Sequence, residues 1–373
     1  MKTEELDALE KPYRIYAEAL EDEALRQFAD AMKLDCVVKG ALMPDAHSGY
    51  TLPIGAVIAI DGVVFPSFAG YDIGCGMCAL PTSYGKQDVR TNAPRIFNEI
   101  YRTVPVGFSH NQYDTPWSYA GIARTSQLQE IFDKNGLRQL GSLGGGNHFI
   151  EIGADENDRV WIIIHSGSRG IGHAVASHYM RVASGDGSAR EGHFGFDVAT
   201  ADGQDYIADM GFCLEFALEN RREMMRRITV AMSQYCVGAP DWSELINRNH
   251  NHVEFAHGMW IHRKGATHAE DGMMGVIPGN MRDGSFIVRG KGCADALWSS
   301  SHGAGRVLGR KEAQRVLHID QFTDTMQGIV ARVTADTLDE SPFAYKDIHA
   351  VMAQQTDMVN VMAHIKPIIN IKG

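Results

Sequence analysis

The chain has 373 residues, with 35 Lys+Arg against 46 Asp+Glu and a formal net charge of −11. At 44% hydrophobic and 22% charged residues, it has the composition of a globular protein, neither disordered nor collagen-like. The negative charge argues against a basic surface that coats nucleic acid nonspecifically, while leaving room for a local basic groove.

Residues 1–7 are acidic and lack an apolar core, so they do not read as a secretory signal, and the cytoplasm is the expected compartment. No apolar run approaches the ~18 residues of a membrane-spanning helix. The best runs, 53–60 and 160–164, are strand-sized. Six cysteines (36, 75, 78, 213, 236, 293) are too thinly spread for a disulfide framework and read as reduced thiols.

In chain order, a charged lead-in gives way to a helix carrying Ala24, Leu25, Phe28 and Met32. A Gly- and Pro-punctuated β region follows to about residue 80. Its expected strands are 36–38, 54–60 and 63–65, with Asp61-Gly62 as a hairpin turn. Helices are expected at 95–102, just after Pro94, and at 125–134. Residues 160–165 read as a buried strand delivering residues to a site. The longest helix is expected over 204–235, short strands over 275–277 and 285–288, and a final helix over 345–364. No period of 20–50 residues recurs, which excludes a solenoid or propeller reading. The candidate site residues run from 72 to 372 without a dividing linker. The expectation is one interleaved α+β domain over residues 1–373, with mixed β-sheets and surrounding helices.

Four Gly-rich turns carry the chemistry. In Gly70-Tyr71-Asp72-Ile73-Gly74-Cys75, Asp72 and Cys75 sit three apart, so both side chains can converge on one metal, and a thiolate can bridge two ions. The ordinary alternative is a tight turn with a buried Cys. Cys75 and Cys78 form one CxxC without a second pair, a poor match to a zinc ribbon. In Gly144-Gly145-Gly146-Asn147-His148-Phe149-Ile150-Glu151, glycines permit close backbone approach, while Asn147, His148 and Glu151 supply donor, metal ligand and acceptor. The turn is neither a GxGxxG nor a Walker A loop. His165 ends a buried strand, and the Ser166–Arg169 stretch after it looks suited to phosphate oxygens. His302 lies among small residues, with Arg306 four positions on; no GxSxG elbow occurs to support a serine hydrolase. In the weaker patch Asn249-His250-Asn251-His252, alternation lets at most one histidine face the site. Asp72, Cys75, His148, His165 and His250 together suit two transition-metal ions better than Mg²⁺ or Ca²⁺.

At these residues the sequence resembles the RNA-splicing ligase RtcB family across nearly its whole length. The matching strings are Met43-Pro44-Asp45-Ala46-His47, the Asp72–Cys75 turn, Gly146-Asn147-His148-Phe149-Ile150-Glu151 and His165-Ser166-Gly167-Ser168-Arg169-Gly170. To these are added Arg263-Lys264-Gly265-Ala266-Thr267, Ile277-Pro278-Gly279, Ser301-His302-Gly303-Ala304-Gly305-Arg306 and the closing Lys372-Gly373. The resemblance implies a GTP- and Mn²⁺-dependent ligase joining RNA 3′-phosphate or 2′,3′-cyclic phosphate ends to 5′-hydroxyl ends, in RNA repair or tRNA splicing. It implies that His302 takes GMP from GTP. Asp72, Cys75 and His148 would hold one Mn²⁺, and Cys75, His165 and His250 the other. Around the nucleotide it implies Asn147, His148, Phe149, Ile150, Glu151, His250, Asn251, Pro278, Gly279, Asn280, Met281, Ser285, Gly303, Ala304, Gly305 and Lys372. Two features depart from the family pattern: Asn280 replaces a serine, and the 80–140 stretch is shorter. A metal-dependent phosphodiesterase or cyclic-phosphate hydrolase that does not ligate is the runner-up, and an RNA-binding scaffold with a decayed site the third reading.

Overall fold

The computed structural model describes residues 2–373. Two sheets frame the molecule. The first orders Tyr13–Ile15, Val37–His47, Ile54–Ile60, Met259–Lys264 and Asn251–Ala256. The second orders Met274–Pro278, Ser285–Gly290, Val359–Lys372, Phe149–Ala154, Val160–Ser166, Gly76–Pro81 and Ile246–Asn249, with Val330–Ala331 pairing in parallel along Val359–Lys372. Parallel and antiparallel ladders coexist in both, and helices surround them, so the α+β class with mixed sheets holds. Among the described residues no helix is long and apolar enough to cross a membrane, and all six cysteines are free thiols.

The second sheet positions most of the site, and its strands show why. Val160–Ser166 reads Val-Trp-Ile-Ile-Ile-His-Ser because both of its faces are buried. Ile162 and Ile164 pack toward the helices Lys86–Thr103 and Ala201–Ser233, while Trp161 and Ile163 face a second apolar layer with Phe149 and Ile365. The same alternation sorts Phe149–Ala154: Ile150 and Ile152 enter the helix-side core, leaving Phe149 and Glu151 on the opposite face.

Four expectations need correction. The hairpin expected at Asp61-Gly62 does not form, because Val63–Val64 pairs with Phe196–Asp197 and Ile54–Ile60 with Val37–His47 and Met259–Lys264. The strand expected at 36–38 runs over Val37–His47, pairing with Ile54–Ile60 and carrying Asp45 and His47 to the site. The final helix over 345–364 is replaced by a short helix, Ile348–Ala353, and the long strand Val359–Lys372. From Val359 onward β-branched residues recur, and they favour a pleated surface over a helix. Pro367, which cannot donate to a ladder, falls at a register shift. The helix expected to begin after Pro94 runs through it, over Lys86–Thr103. Its apolar face of Val89, Ala93, Ile96, Phe97 and Ile100 spans the proline, and burial offsets the ~3 kcal/mol of an interior proline. The helices Arg310–Val316 and Ile319–Thr325 carry no clear sequence periodicity and were not anticipated.

Candidate metal and nucleotide site

Side chains from four separate segments meet at Cys75. Its Sγ lies 3.5 Å from His148 Nε2 and 3.1 Å from His165 Nε2. His148 Nε2 is 3.0 Å from Asp72 Oδ2, and His165 Nε2 is 3.2 Å from His250 Nε2. The structure thus brings together two triplets, Asp72–Cys75–His148 and Cys75–His165–His250, which share the thiol.

Backbone partners set the tautomers. His148 Nδ1 donates to the Leu143 carbonyl at 2.9 Å and His165 Nδ1 to the Asn147 carbonyl at 3.2 Å, since a carbonyl can only accept. Both Nε2 lone pairs therefore point at a carboxylate, a sulfur and a third imidazole, an arrangement that suits cations. A thiolate, a carboxylate and three imidazoles make a donor set for transition metals, so the residues present fit two such ions. Burial, then Asp72, pushes the Cys75 thiol well up, so it needs a cation to ionise. A third group, His252, Glu254 and His268, surrounds the buried Arg263 guanidinium, which pairs with Glu254 and Glu270. His250 and His252 face different groups, as expected, but through a break between strands and not through alternation: His250 links Ile246–Asn249 to Asn251–Ala256, which lie in different sheets.

The long helix Ala201–Ser233 inserts two consecutive polar residues beneath these turns. Arg221, fully buried, donates to the carbonyls of Gly74 and Ser166 and to the side chains of Asn247 and Asn249. Asn220 accepts from the amides of Gly141 and Ser142 and donates to the carbonyls of Ser142 and Gly167. Together they tie the segments bearing Asp72, Cys75, His165 and His250, and the loop leading to His148. Gly144 completes this loop at φ +95°, where a Cβ would meet the Arg169 guanidinium and lie 2.6 Å from His148 Nδ1.

His302 stands beside this cluster, its ring 4.9 Å from that of His250. Its Nδ1 lies 2.7 Å from a carboxylate oxygen of Asp45, which also accepts from the amides of His302 and Gly303 at 3.2 Å. Burial alone would raise Asp45, but the facing His302, and then His47, hold its carboxyl below the usual range. Nε2 of His302 is left facing away from Asp45, and His302 lines the two adjoining cavities.

One cavity is lined by Asn147, Phe149, Glu151, Pro278–Met281, Gly303–Gly305 and Lys372, together with Arg306, Arg310, Tyr345 and Asn370. Burial pushes the Glu151 carboxyl up to about 8, against the neighbouring Ser285 hydroxyl and then Lys372. Among the described residues, Asn370 Oδ1 is buried without a hydrogen-bond partner, a polar atom left to meet a polar ligand. Lys372 Nζ bonds Glu340 at 2.6 Å and sits over the Phe149 ring. The second cavity is lined by His250, Asn251, Asp72 and Cys75 and also by Tyr50 and Lys264.

Some residues have other duties. The Ile150 side chain is in the core, so only its backbone borders the site. Asn280 caps its own turn: Oδ1 accepts from the amides of Arg282 and Asp283, and Nδ2 donates to Asp283. The stretch read as suited to phosphate is committed internally. Ser166 and Ser168 donate to the Leu143 and Ile73 carbonyls, and Arg169 donates to Gly107 O and Ser142 Oγ. Residue-by-residue reasoning missed Asp45, Arg310, Tyr345, Asn370 and Glu340. Only Asp45 carried a signal, inside the Met43–His47 string.

A centre of two ligand triplets sharing one thiol, next to a carboxylate-backed histidine and a cleft that mixes apolar walls with Glu151, Asn147, Arg310 and Lys372, is the kind of site phosphoryl-transfer enzymes use. The family model described as tRNA-splicing ligase RtcB matches residues 27–373, and the chain belongs to this family. It is 35% identical to the RNA-splicing ligase RtcB of Escherichia coli K12, over 95% of each chain. It is 30% identical to the tRNA-splicing ligase RtcB of Pyrobaculum aerophilum, over 97% of this chain and 95% of that protein. Against the tRNA-splicing ligase RtcB of Nanoarchaeum equitans the identity is 28%, over 97% and 95%.

Proposed function

We propose that this chain is a GTP- and Mn²⁺-dependent RNA ligase, acting as one catalytic domain over residues 1–373 in the cytoplasm. It joins RNA 3′-phosphate or 2′,3′-cyclic phosphate ends to 5′-hydroxyl ends, in RNA repair or tRNA splicing. The observation that carries this reading is the 2.7 Å contact between His302 Nδ1 and buried Asp45, which leaves Nε2 as the nitrogen free to react in the cavities that His302 lines beside the metal ligands.

In this account His302 Nε2 attacks the α-phosphorus of GTP. An N–P bond forms, the bond to the pyrophosphate oxygen breaks, and pyrophosphate leaves. Asp45 fixes the ring and stabilises the positive charge that develops on it. The guanylyl group then passes to an oxygen of the RNA 3′-phosphate, freeing His302. The 5′-hydroxyl oxygen attacks that terminal phosphorus, a phosphodiester forms, and GMP departs. A cyclic phosphate is first opened by water to the 3′-monophosphate.

Asp72, Cys75 and His148 would hold one Mn²⁺, and Cys75, His165 and His250 the other; bound, the ions supply charge neutralisation at the phosphate oxygens. Asn147–Glu151, His250–Asn251, Pro278–Met281, Ser285, Gly303–Gly305 and Lys372 surround the nucleotide. Guanine presents N–H donors beside a carbonyl acceptor, and Glu151 with Lys372 offers the complementary acceptor and cation. Two oligoribonucleotides, one ending in a 3′-phosphate and one beginning with a 5′-hydroxyl, test the reading. A joined product that requires both GTP and Mn²⁺ supports it; no product, or joining without GTP, overturns it.

A further inference from the structure

The chain keeps two large aromatic side chains in water on loops that are otherwise tied down. Phe108 is 98% exposed, and Tyr50 is 82% exposed.

Phe108 tips a turn closed by the Ser109 amide on the Val106 carbonyl. The flanking chain is fastened at both ends. Leu143 N–H bonds the Pro105 carbonyl, and Gly107 N–H bonds the Gly144 carbonyl, each at 2.8 Å. Arg169 donates to Gly107 O, and Arg227 holds Asn111 Oδ1 at 2.7 Å. The same Gly144 abuts His148, so Phe108 is displayed one short loop away from a metal-ligand turn.

Tyr50 is held by a different clamp. Buried Gln27 accepts from the Gly49 amide and donates to the carbonyls of Gly49 and Tyr50. The residue lines the cavity that contains Asp72, Cys75, His250 and His302.

We propose that Phe108 and Tyr50 are base-stacking platforms for the unpaired nucleotides next to the RNA termini. This deepens the ligase reading and rests on it. A chain of net charge −11 has little general coulombic hold on RNA, whereas ring stacking on nucleobases is neutral and tolerant of sequence. With the backbone fixed in advance, only the side-chain rotamer has to be ordered when a base lands on the ring. The platforms suit single-stranded ends, because bases inside a duplex are stacked on each other.

The test is fluorescence anisotropy with a labelled single-stranded oligoribonucleotide carrying a 3′-phosphate. Protein labelling by GTP, which takes no RNA, is followed in parallel to report an intact fold and metal centre. Phe108→Ala and Tyr50→Ala should each weaken RNA binding roughly 5- to 100-fold, Phe108→Ala while still accepting GMP as the wild type does, and Phe108→Trp should bind as the wild type does. Wild-type RNA affinity in both alanine variants overturns the proposal. So does Phe108→Ala converting a dimer to a monomer at unchanged RNA affinity, since a second copy would then be the occupant. If the wild type accepts GMP but does not bind the oligonucleotide, the platforms fall and the His302 step stands. If it does neither, the ligase reading falls with them.

Discussion

Asp45 Oδ2 lies 2.7 Å from His302 Nδ1 and accepts from the amides of His302 and Gly303, so one buried carboxylate holds the backbone at His302 and faces its imidazole. Asp45→Asn keeps the shape but removes the charge that offsets a positive imidazole. GMP labelling in a single turnover should slow by about 10²- to 10⁴-fold, with metal binding intact. A variant labelled at the wild-type rate would remove Asp45 from the account.

Cys75 belongs to both ligand triplets, whereas Asp72 and His250 belong to one each. Equilibrium dialysis against Mn²⁺ should therefore find two ions per wild-type chain. Cys75→Ala should lose both from the tight range, while His250→Ala should keep one. Two tightly held ions in Cys75→Ala would contradict the shared thiolate.

Glu151 titrates near 8 in the folded chain, raised by burial from the usual carboxylate value of 4.5. A folded pKa above the unfolded one means the native state holds the extra proton between those values. Stability is then fully present below about 4.5 and lost as pH rises through about 8. Glu151→Gln removes this dependence, so its urea midpoint should exceed that of the wild type above pH 8, where the carboxylate is ionised without a ligand. The same variant should bind GTP more weakly above pH 8, where an amide takes the place of a carboxylate acceptor for guanine N–H groups. Parallel urea midpoints across pH 5 to 9 would refute the assignment.

Gly144→Ala places a Cβ against Arg169 and His148 at φ +95°. Gly258 shares a positive φ, +79°, but has open space around it. Gly258→Ala should lose only about 1 kcal/mol of backbone strain in urea unfolding. Gly144→Ala should lose more, together with Mn²⁺ affinity. Equal losses, with metal binding untouched, would show that the loop tolerates the methyl group.

The ligand residues were legible because Asp72, Cys75, His148, His165 and His302 each sit in a short Gly-rich string with its own chemical signature. The long helix and the buried strand around Val160 were legible from composition and run length. The role of Asp45 was not, although its string was: its partner lies 257 residues away and nothing local marks that pairing. Arg221 was hidden in the same way: within Ala201–Ser233 it resembles the neighbouring surface arginines, yet it is fully buried and bonds turns far away in sequence. Val359–Lys372 was misread because its Met, Ala and His residues suit a helix, while the pairing that makes it a strand comes from Phe149–Ala154 and Ser285–Gly290. Tertiary partners decided these cases, and a single chain read in order does not display them.

The central claim is that His302 carries GMP. Intact-protein mass spectrometry after incubation with GTP and Mn²⁺, comparing the wild type with His302→Ala, tests it most directly. The account predicts one guanylyl group on the wild type, lost on acid treatment as a phosphoramidate is, and none on His302→Ala. An adduct that persists in His302→Ala, or no adduct on a wild type that still cleaves phosphoesters with Mn²⁺, would contradict it.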